Sequence, residues 1–447
     1  MIKNLTAIVC LTVSSQIGAI TLSEYINKLT QVHPFYAQLL LSEEASQINH
    51  QSAKSYSDWS AQLNVNDSYS PTTSLNSASY EVSTKKIIEE TGGNLKLKHS
   101  WSDNSLTQAT NLTSITYSQP LMENQGGVND SLSADLADID LEAKQLSLAE
   151  QSEAFLASKS KRFIDLALAQ EKAETYRMNL AFSVQQLSIT SEKYAQSLLT
   201  KSSLLQEQDS FVRAQQQSLQ ANQELSSVRQ ELAFMVAVDS KLMFAEFDLF
   251  QDQKVSSGDI ARFVGNSRTI RQINYDRQKL KRQLISNENK LEPSLNLSVS
   301  LTSQGNSNSY FDSFANQDTS WKVGLSFMYP LGNTKELLDI RRTENLLSQL
   351  NFRQQEAELN LEQQIVSLLS RVDLLQELMG ISLKQSQLAN AKTLEVEAKY
   401  NDALSQKSSV VAAQKSANLT KLSYAQAAAS YQKAVIDYLS LTDQLVK

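Results

Sequence analysis

Cysteine is nearly absent. The only one, Cys10, lies inside an N-terminal targeting pattern: Lys3 supplies a positive start, Leu5 to Val13 is apolar, and Ile17-Gly18-Ala19 offers a small residue for cleavage. The apolar run is far shorter than a spanning helix requires, so residues 1–19 read as a secretory signal that is removed. A lipid anchor on Cys10 is the weaker reading, because only nine residues precede it and it sits within the apolar run. The mature chain then has no cysteine and no disulfide. It also lacks basic excess. Without Lys3 it carries 40 basic against 48 acidic residues, which argues against nucleic acid as a partner. No run of 18 apolar residues follows the signal, so any membrane crossing must use strands.

Helix breakers are scarce and clustered. The five prolines are Pro34, Pro71, Pro120, Pro293 and Pro330, and 128–257 holds neither Gly nor Pro. From Asn333 onward the only breaker is Gly380. Such stretches, rich in Ala, Leu, Gln, Glu, Lys and Ser, read as long helices. One helix over Leu121 to Tyr194 would span on the order of 100 Å at about 1.5 Å per residue. Leu361, Ile365, Leu368, Val372, Leu375 and Met379 alternate steps of four and three. Leu136, Ile139, Ala143 and Leu146 do likewise, and both are coiled-coil seams.

The chain is written twice. Lys193-Tyr194-Ala195-Gln196-Ser197-Leu198-Leu199-Thr200-Lys201-Ser202-Ser203 is echoed by Lys399-Tyr400-Asn401-Asp402-Ala403-Leu404-Ser405-Gln406-Lys407-Ser408-Ser409. Tyr117-Ser118-Gln119-Pro120-Leu121 is echoed by Phe327-Met328-Tyr329-Pro330-Leu331. The halves run over about 20–237 and 256–447, joined by a segment at 238–255. Each holds a helix, a β-hairpin (about 59–118 and 293–329) and long helices (about 121–237 and 331–443). Phe244, Phe247, Leu249 and Phe250 predict that the joining segment packs on the helices.

The hairpin strands alternate. Leu295, Leu297, Val299 and Leu301 interleave with Asn296, Ser298, Ser300 and Thr302; Trp321, Val323, Leu325 and Phe327 interleave with Lys322, Gly324 and Ser326. Trp59, Ala61, Leu63 and Val65 repeat the pattern, while Leu112 to Ser118 is less regular. Small neutral polar residues on one face and aromatics at the strand ends suit a barrel with lipid outside and water inside. Four strands cannot close one alone, because open edges are not tolerated in lipid. The long connection from about Asp67 to Thr110 reads as an outer loop, in which Leu95, Leu97, His99 and Trp101 alternate and extend the hairpin.

This order of elements resembles the outer-membrane efflux protein (TolC-like) family across nearly the whole mature chain. Thr21-Leu22-Ser23-Glu24-Tyr25 followed by His33-Pro34 looks like its opening helix and Asn-Pro step, and Pro120-Leu121 and Pro330-Leu331 look like its strand-to-helix junctions. The resemblance implies a mostly α-helical homotrimer with a small β part. A long-helix coiled-coil tunnel would cross the periplasm, and four strands per chain would contribute to a 12-stranded outer-membrane barrel. It implies a passive channel-tunnel exporting substrates from an inner-membrane pump or type I secretion ATPase through a periplasmic adaptor. The other reading is a periplasmic coiled-coil scaffold or adaptor without a pore.

The resemblance also assigns sites. Tyr194, Ser197, Leu198, Tyr400, Ala403 and Leu404 would form the adaptor-facing tips, and Asp402, Ser405, Ser409 and Ala412 the pore constriction. Ser197 and Ala403 stand where relatives usually carry Gly, at a cost of roughly 1 kcal/mol for a left-handed turn, which leaves open a differently built turn. Ser409 and Ala412 stand where many relatives are acidic, so the resemblance implies a narrow end lined by small residues. His33, His50 and His99 are not spaced to share a metal, and no phosphate-binding loop is present. We therefore expect no catalysis and no cofactor, with transport energy supplied by a partner.

Overall fold

A computed structural model describes residues 19–70, 75–104, 107–252, 255, 258–307 and 309–445. The signal at 1–19, with Cys10, lies outside these apart from Ala19. The chain folds as two compact units. One holds the chain up to Leu39, Ala149–Ser267 and the chain from Asn360; the other holds Leu40–Leu148 and Arg268–Leu359. Among the described residues no helix is long and apolar enough to cross a membrane.

The first unit is helical. Strand β1 (Ile20–Thr21) leads into α1 (Leu22–Val32), where Thr21 and Glu24 form a reciprocal capping box. Helix α2 (Pro34–Lys54) follows at once because His33 is extended, as a residue before proline prefers. The unit also holds α4 (Lys201–Met235), α9 (Lys407–Leu441) and the parts of α3 (Leu132–Ala195) and α8 (Thr334–Asn401) from Ala149 and Asn360 onward. Tyr25, Leu29, Phe163, Leu166, Val228 and Leu232 form one core cluster, with Tyr25 stacked on Phe163 at 5.3 Å. A second is built from alanines on α9 (Ala425, Ala428, Ala429, Ala434) against Ile164, Val372 and Met379. The seam on α8 is as the spacing requires: Leu361, Ile365, Val372 and Met379 are buried, and Leu368 and Leu375 pack beside them.

The joining segment packs as its aromatics predict. Strand β6 (Ala245–Glu246) pairs in parallel with β1, and the Gln170 amide both donates to and accepts from Ala245. Leu249 is buried, Phe250 stacks on Tyr424 at 4.5 Å, and Gln432 donates to the carbonyls of Leu249 and Gln251. Short α5 (Ile260–Asn266) follows, capped by Asp259.

The second unit holds a six-stranded antiparallel sheet, in the order β2 (Ser60–Ser70), β3 (Leu75–Ile88), β4 (Gly93–Asn104), β5 (Thr107–Pro120), β7 (Ser294–Ser307) and β8 (Asp318–Met328). This corrects the expected four strands per chain. The supposed outer loop between Asp67 and Thr110 is not a loop. It folds as β3 and β4, of 14 and 12 residues between flanking strands of 11 and 14, and backbone pairing satisfies polar groups that a long loop would have left to water. Helix α6 (Arg268–Asn289) packs Ile270 and Ile273 against Leu350 of α8. Six-residue α7 (Tyr310–Ala315), capped by Ser309, lies in the β7–β8 connection.

Helix α3 begins eleven residues later than Leu121, its expected start, and beyond the Gly126-Gly127 pair. Asn124, Gly126 and Gly127 all have positive φ, and a right-handed helix cannot run through them. That turn is held by α6: Asn289 accepts from the Asn124 amide at 2.7 Å, and Arg282 donates to Asp135 at 2.7 Å.

Candidate functional site

Two features stand out: a sheet with two unlike faces and a pair of matching helix tips. The register places Leu63, Val82, Leu97, Ile115, Val299, Leu301, Val323 and Leu325 on one face. On the other stand Asn64, Ser83, Lys96, Lys98, Ser114, Ser300, Thr302 and Lys322. The apolar side chains remain exposed: Leu63 is 66% and Leu325 66% accessible. So large an uncovered apolar face requires something apolar against it.

That face has a polar gap toward the start of β5 and the end of β7, where Asn111, Thr113, Ser303 and Gly305 replace aliphatic residues. Helix α7 fills it. Its backbone presses on β7 so closely that a Cβ on Gly305 would stand 1.7 Å from the Ser313 carbonyl oxygen. His99 hydrogen-bonds Thr113 at 2.9 Å and the Tyr310 hydroxyl at 3.0 Å, so its imidazole is satisfied on an otherwise apolar surface. Helix α7 then presents Phe311 and Phe314 outward, and Tyr310 packs edge-on against Trp101. With Tyr69, Tyr80 and Trp321 these aromatics mark one end of the sheet; Trp59, Phe327 and Tyr329 mark the other. Lys86 reaches over the Trp59 ring at 5.8 Å. Strand alternation pointed to the sheet faces, whereas α7 was missed. Its only signal was Ser309 before a run with aromatics at 310, 311 and 314.

The tips match bond for bond. In the first, the Ser197 amide donates to the Tyr194 carbonyl and the Leu198 amide to Lys193, both at 2.9 Å. In the second, Ala403 donates to Tyr400 at 3.0 Å and Leu404 to Lys399 at 2.7 Å. Each is a Schellman helix ending, and Ser197 and Ala403 both sit at φ 60°. The left-handed turn is built in both tips without a glycine. The tips differ in how the next helix starts. Thr200 caps α4 with its hydroxyl on the Ser203 amide, whereas Gln406 makes no side-chain cap and instead accepts from Lys193 at 2.9 Å, tying the two tips together. Leu198 and Leu404 stand out into solvent, 67% and 78% exposed, beside partly exposed Tyr194 and Tyr400.

Asp402 lies exposed in the second turn and Ser405 half-buried beside it. Ser409 and Ala412 begin an exposed stripe on α9 that continues through Ser416, Leu419, Ser423 and Gln426 in steps of three and four. It carries no charge, and the facing side of α9 is buried. Elsewhere in this unit, burial pushes the Tyr431 hydroxyl up to about 12, aided by the Asp252 carboxylate it donates to at 3.2 Å. Among the described residues no three His, Cys, Asp or Glu are grouped to hold a metal.

No family profile matches the sequence, and no curated protein matches it. Solved structures do. The outer-membrane protein VceC of Vibrio cholerae superposes with a TM-score of 0.67 at 13% identity, covering 94% of this chain and 96% of its own. The CmeC outer-membrane channel of Campylobacter jejuni gives 0.69 at 10% identity, over 95% and 86%. The open-state MtrE outer-membrane channel of Neisseria gonorrhoeae gives 0.69 at 13%, over 95% and 89%. At such identities the likeness speaks for the fold, and it extends over nearly the full length of both partners. The chain has the fold of the outer-membrane efflux channels of the TolC-like family.

Proposed function

We propose that this chain is one third of a passive outer-membrane channel-tunnel. The observation that carries the reading is the sheet: one exposed apolar face, one polar face, and two unpaired edges at β2 and β8. In lipid, open edges leave backbone amides and carbonyls unsatisfied at several kcal/mol each, so copies must pair β8 of one with β2 of the next until the sheet closes. Three is the number that the family resemblance implies. The helices then extend into the periplasm, and Ser409 and Ala412 line a constriction of small uncharged residues near Asp402 and Ser405.

The exposed Leu198 and Leu404, with Tyr194 and Tyr400, suit contact with a periplasmic adaptor, through which a pump or type I secretion ATPase delivers the substrate. The channel does no chemistry and needs no cofactor. A periplasmic scaffold without a pore is the lesser reading, since it has no use for the apolar sheet face. Purified protein reconstituted into planar bilayers tests this. We expect insertion only from detergent and stepwise ion conductance by stable trimers; a detergent-free soluble protein with no conductance would reject the channel.

A further inference from the structure

We infer that β3 and β4 cross the membrane together with the other four strands, so that three copies close an 18-stranded barrel whose lumen carries a lysine belt favouring anionic solutes. This deepens the channel reading and rests on it.

The turn between β3 and β4 fixes the depth of both strands. It docks at the end of the sheet where β5 hands over to the turn before α3. The Gly126 amide donates to the Thr91 carbonyl at 3.2 Å, and the Gln119 side chain donates to the same oxygen at 2.7 Å. Gly92 has φ +68°, and a Cβ there would stand 2.4 Å from the Gly127 nitrogen. The β3–β4 hairpin therefore reaches the inner end of the sheet. An outer projection would leave β2 beside β5; instead β3 and β4 stand between them, paired along their length.

The apolar surface agrees. Ser60, Lys85, Lys96, Thr116, Ser300 and Lys322 form one cross-strand row. The apolar stretch of β8 centres on Gly324, two residues to one side of that row, and that of β2 on Leu63, three residues to the other. From one edge strand to the other the band thus shifts five residues over five strand steps, an average of about one residue per strand. With about 3.3 Å per residue and about 4.8 Å between strands, a level band needs strands tilted by about 35°, within the range of closed barrels. Barrel diameter grows with strand number, so eighteen strands give a lumen about half as wide again as twelve.

The added strands change the charge of that lumen. Lys85 and Lys96 stand directly opposite each other on the polar face, a placement that costs stability in an ordinary sheet. The rest of their row is Ser60, Thr116, Ser300 and Lys322, with no carboxylate. Lys98 is held by Glu81 at 2.5 Å. On the strands of the polar face the charged residues are Lys85, Lys96, Lys98, Lys322, Glu81 and Asp318, and the excess is positive. Repeated three times around a water-filled bore, it concentrates anions.

Spin labels on single cysteines in the full chain, reconstituted in lipid vesicles, test the strand count. Leu95→Cys and Leu97→Cys should collide several-fold more with oxygen than with a water-soluble nickel chelate, relative to Lys96→Cys and Ser100→Cys. Leu297→Cys, Val299→Cys, Ser298→Cys and Ser300→Cys on β7 are the reference. If β7 alternates and β4 is water-exposed on both faces, the six-strand barrel is wrong and the channel stands. If neither alternates, both fall. The lysine belt is read from reversal potentials across a salt gradient. Lys85→Gln with Lys96→Gln should lower anion-over-cation permeability at least about twofold. An unchanged ratio would remove these lysines from the lumen.

Discussion

Ser197 and Ala403, 206 positions apart, occupy the same left-handed position at φ 60° in two helix endings with the same hydrogen bonds. A Cβ in that region is strained, and glycine relieves it. The duplicated turn has the same geometry in both copies, and neither copy carries the glycine that suits it.

Ser197→Gly and Ala403→Gly should therefore each stabilise the helical unit, by about 1 kcal/mol less the added chain entropy of glycine. Thermal unfolding in detergent checks this. Alanine at 197 should have no such effect, because it keeps the Cβ. A fall in melting temperature with glycine at both sites would show that the turns are not strained.

Gly305→Val should dislodge α7. The new side chain has no room beneath the Ser313 carbonyl, so α7 lifts and His99 loses Tyr310. Overpacking of this kind costs about 1–3 kcal/mol. Limited proteolysis should cut the β7–β8 connection faster than in the parent, while the helices stay protected.

Tyr431→Phe should flatten the alkaline limb of stability. The tyrosine's hydroxyl is raised from its ordinary value of about 10 to about 12. Between these values the unfolded chain loses the proton and the folded chain keeps it. The contribution is thus complete below about pH 10 and lost as pH climbs toward about 12. At neutral pH the variant should lose the Asp252 hydrogen bond, on the order of 1 kcal/mol. Denaturant melts at stepped pH measure both.

Ser409→Asp should increase cation selectivity and cation block of single channels. The stripe on α9 that contains it is uncharged, so three added carboxylates would dominate its field. Unchanged selectivity would place Ser409 away from the constriction.

Long helices and the second hairpin were legible because their signals are strong: breaker-free stretches, heptad seams, and clean alternation at 295–301 and 321–327. The tips were legible as a repeat, but their conformation was not, since sequence records a missing glycine and not whether the chain adopts φ 60° without it. Strands β3 and β4 were obscured by Lys85, Lys86, Glu89 and Glu90, which crowd the end of β3 and mimic a solvated loop. Their alternation at Leu95, Leu97, His99 and Trp101 was visible, and its depth was not, because depth is set by Gly92 against Gly127. Helix α7 was too short to give periodicity. The start of α3 was set too early because Gly126-Gly127, breakers plain in the sequence, were passed over; both turn left-handed, as does Asn124 ahead of them.

Electron cryomicroscopy of the protein in lipid nanodiscs tests the central claim most directly. The account predicts three copies around an axis, with β8 of each paired to β2 of the next in a closed barrel inside the disc and the helices outside it. A single copy, or a sheet lying outside the lipid with its edges unpaired, would contradict it.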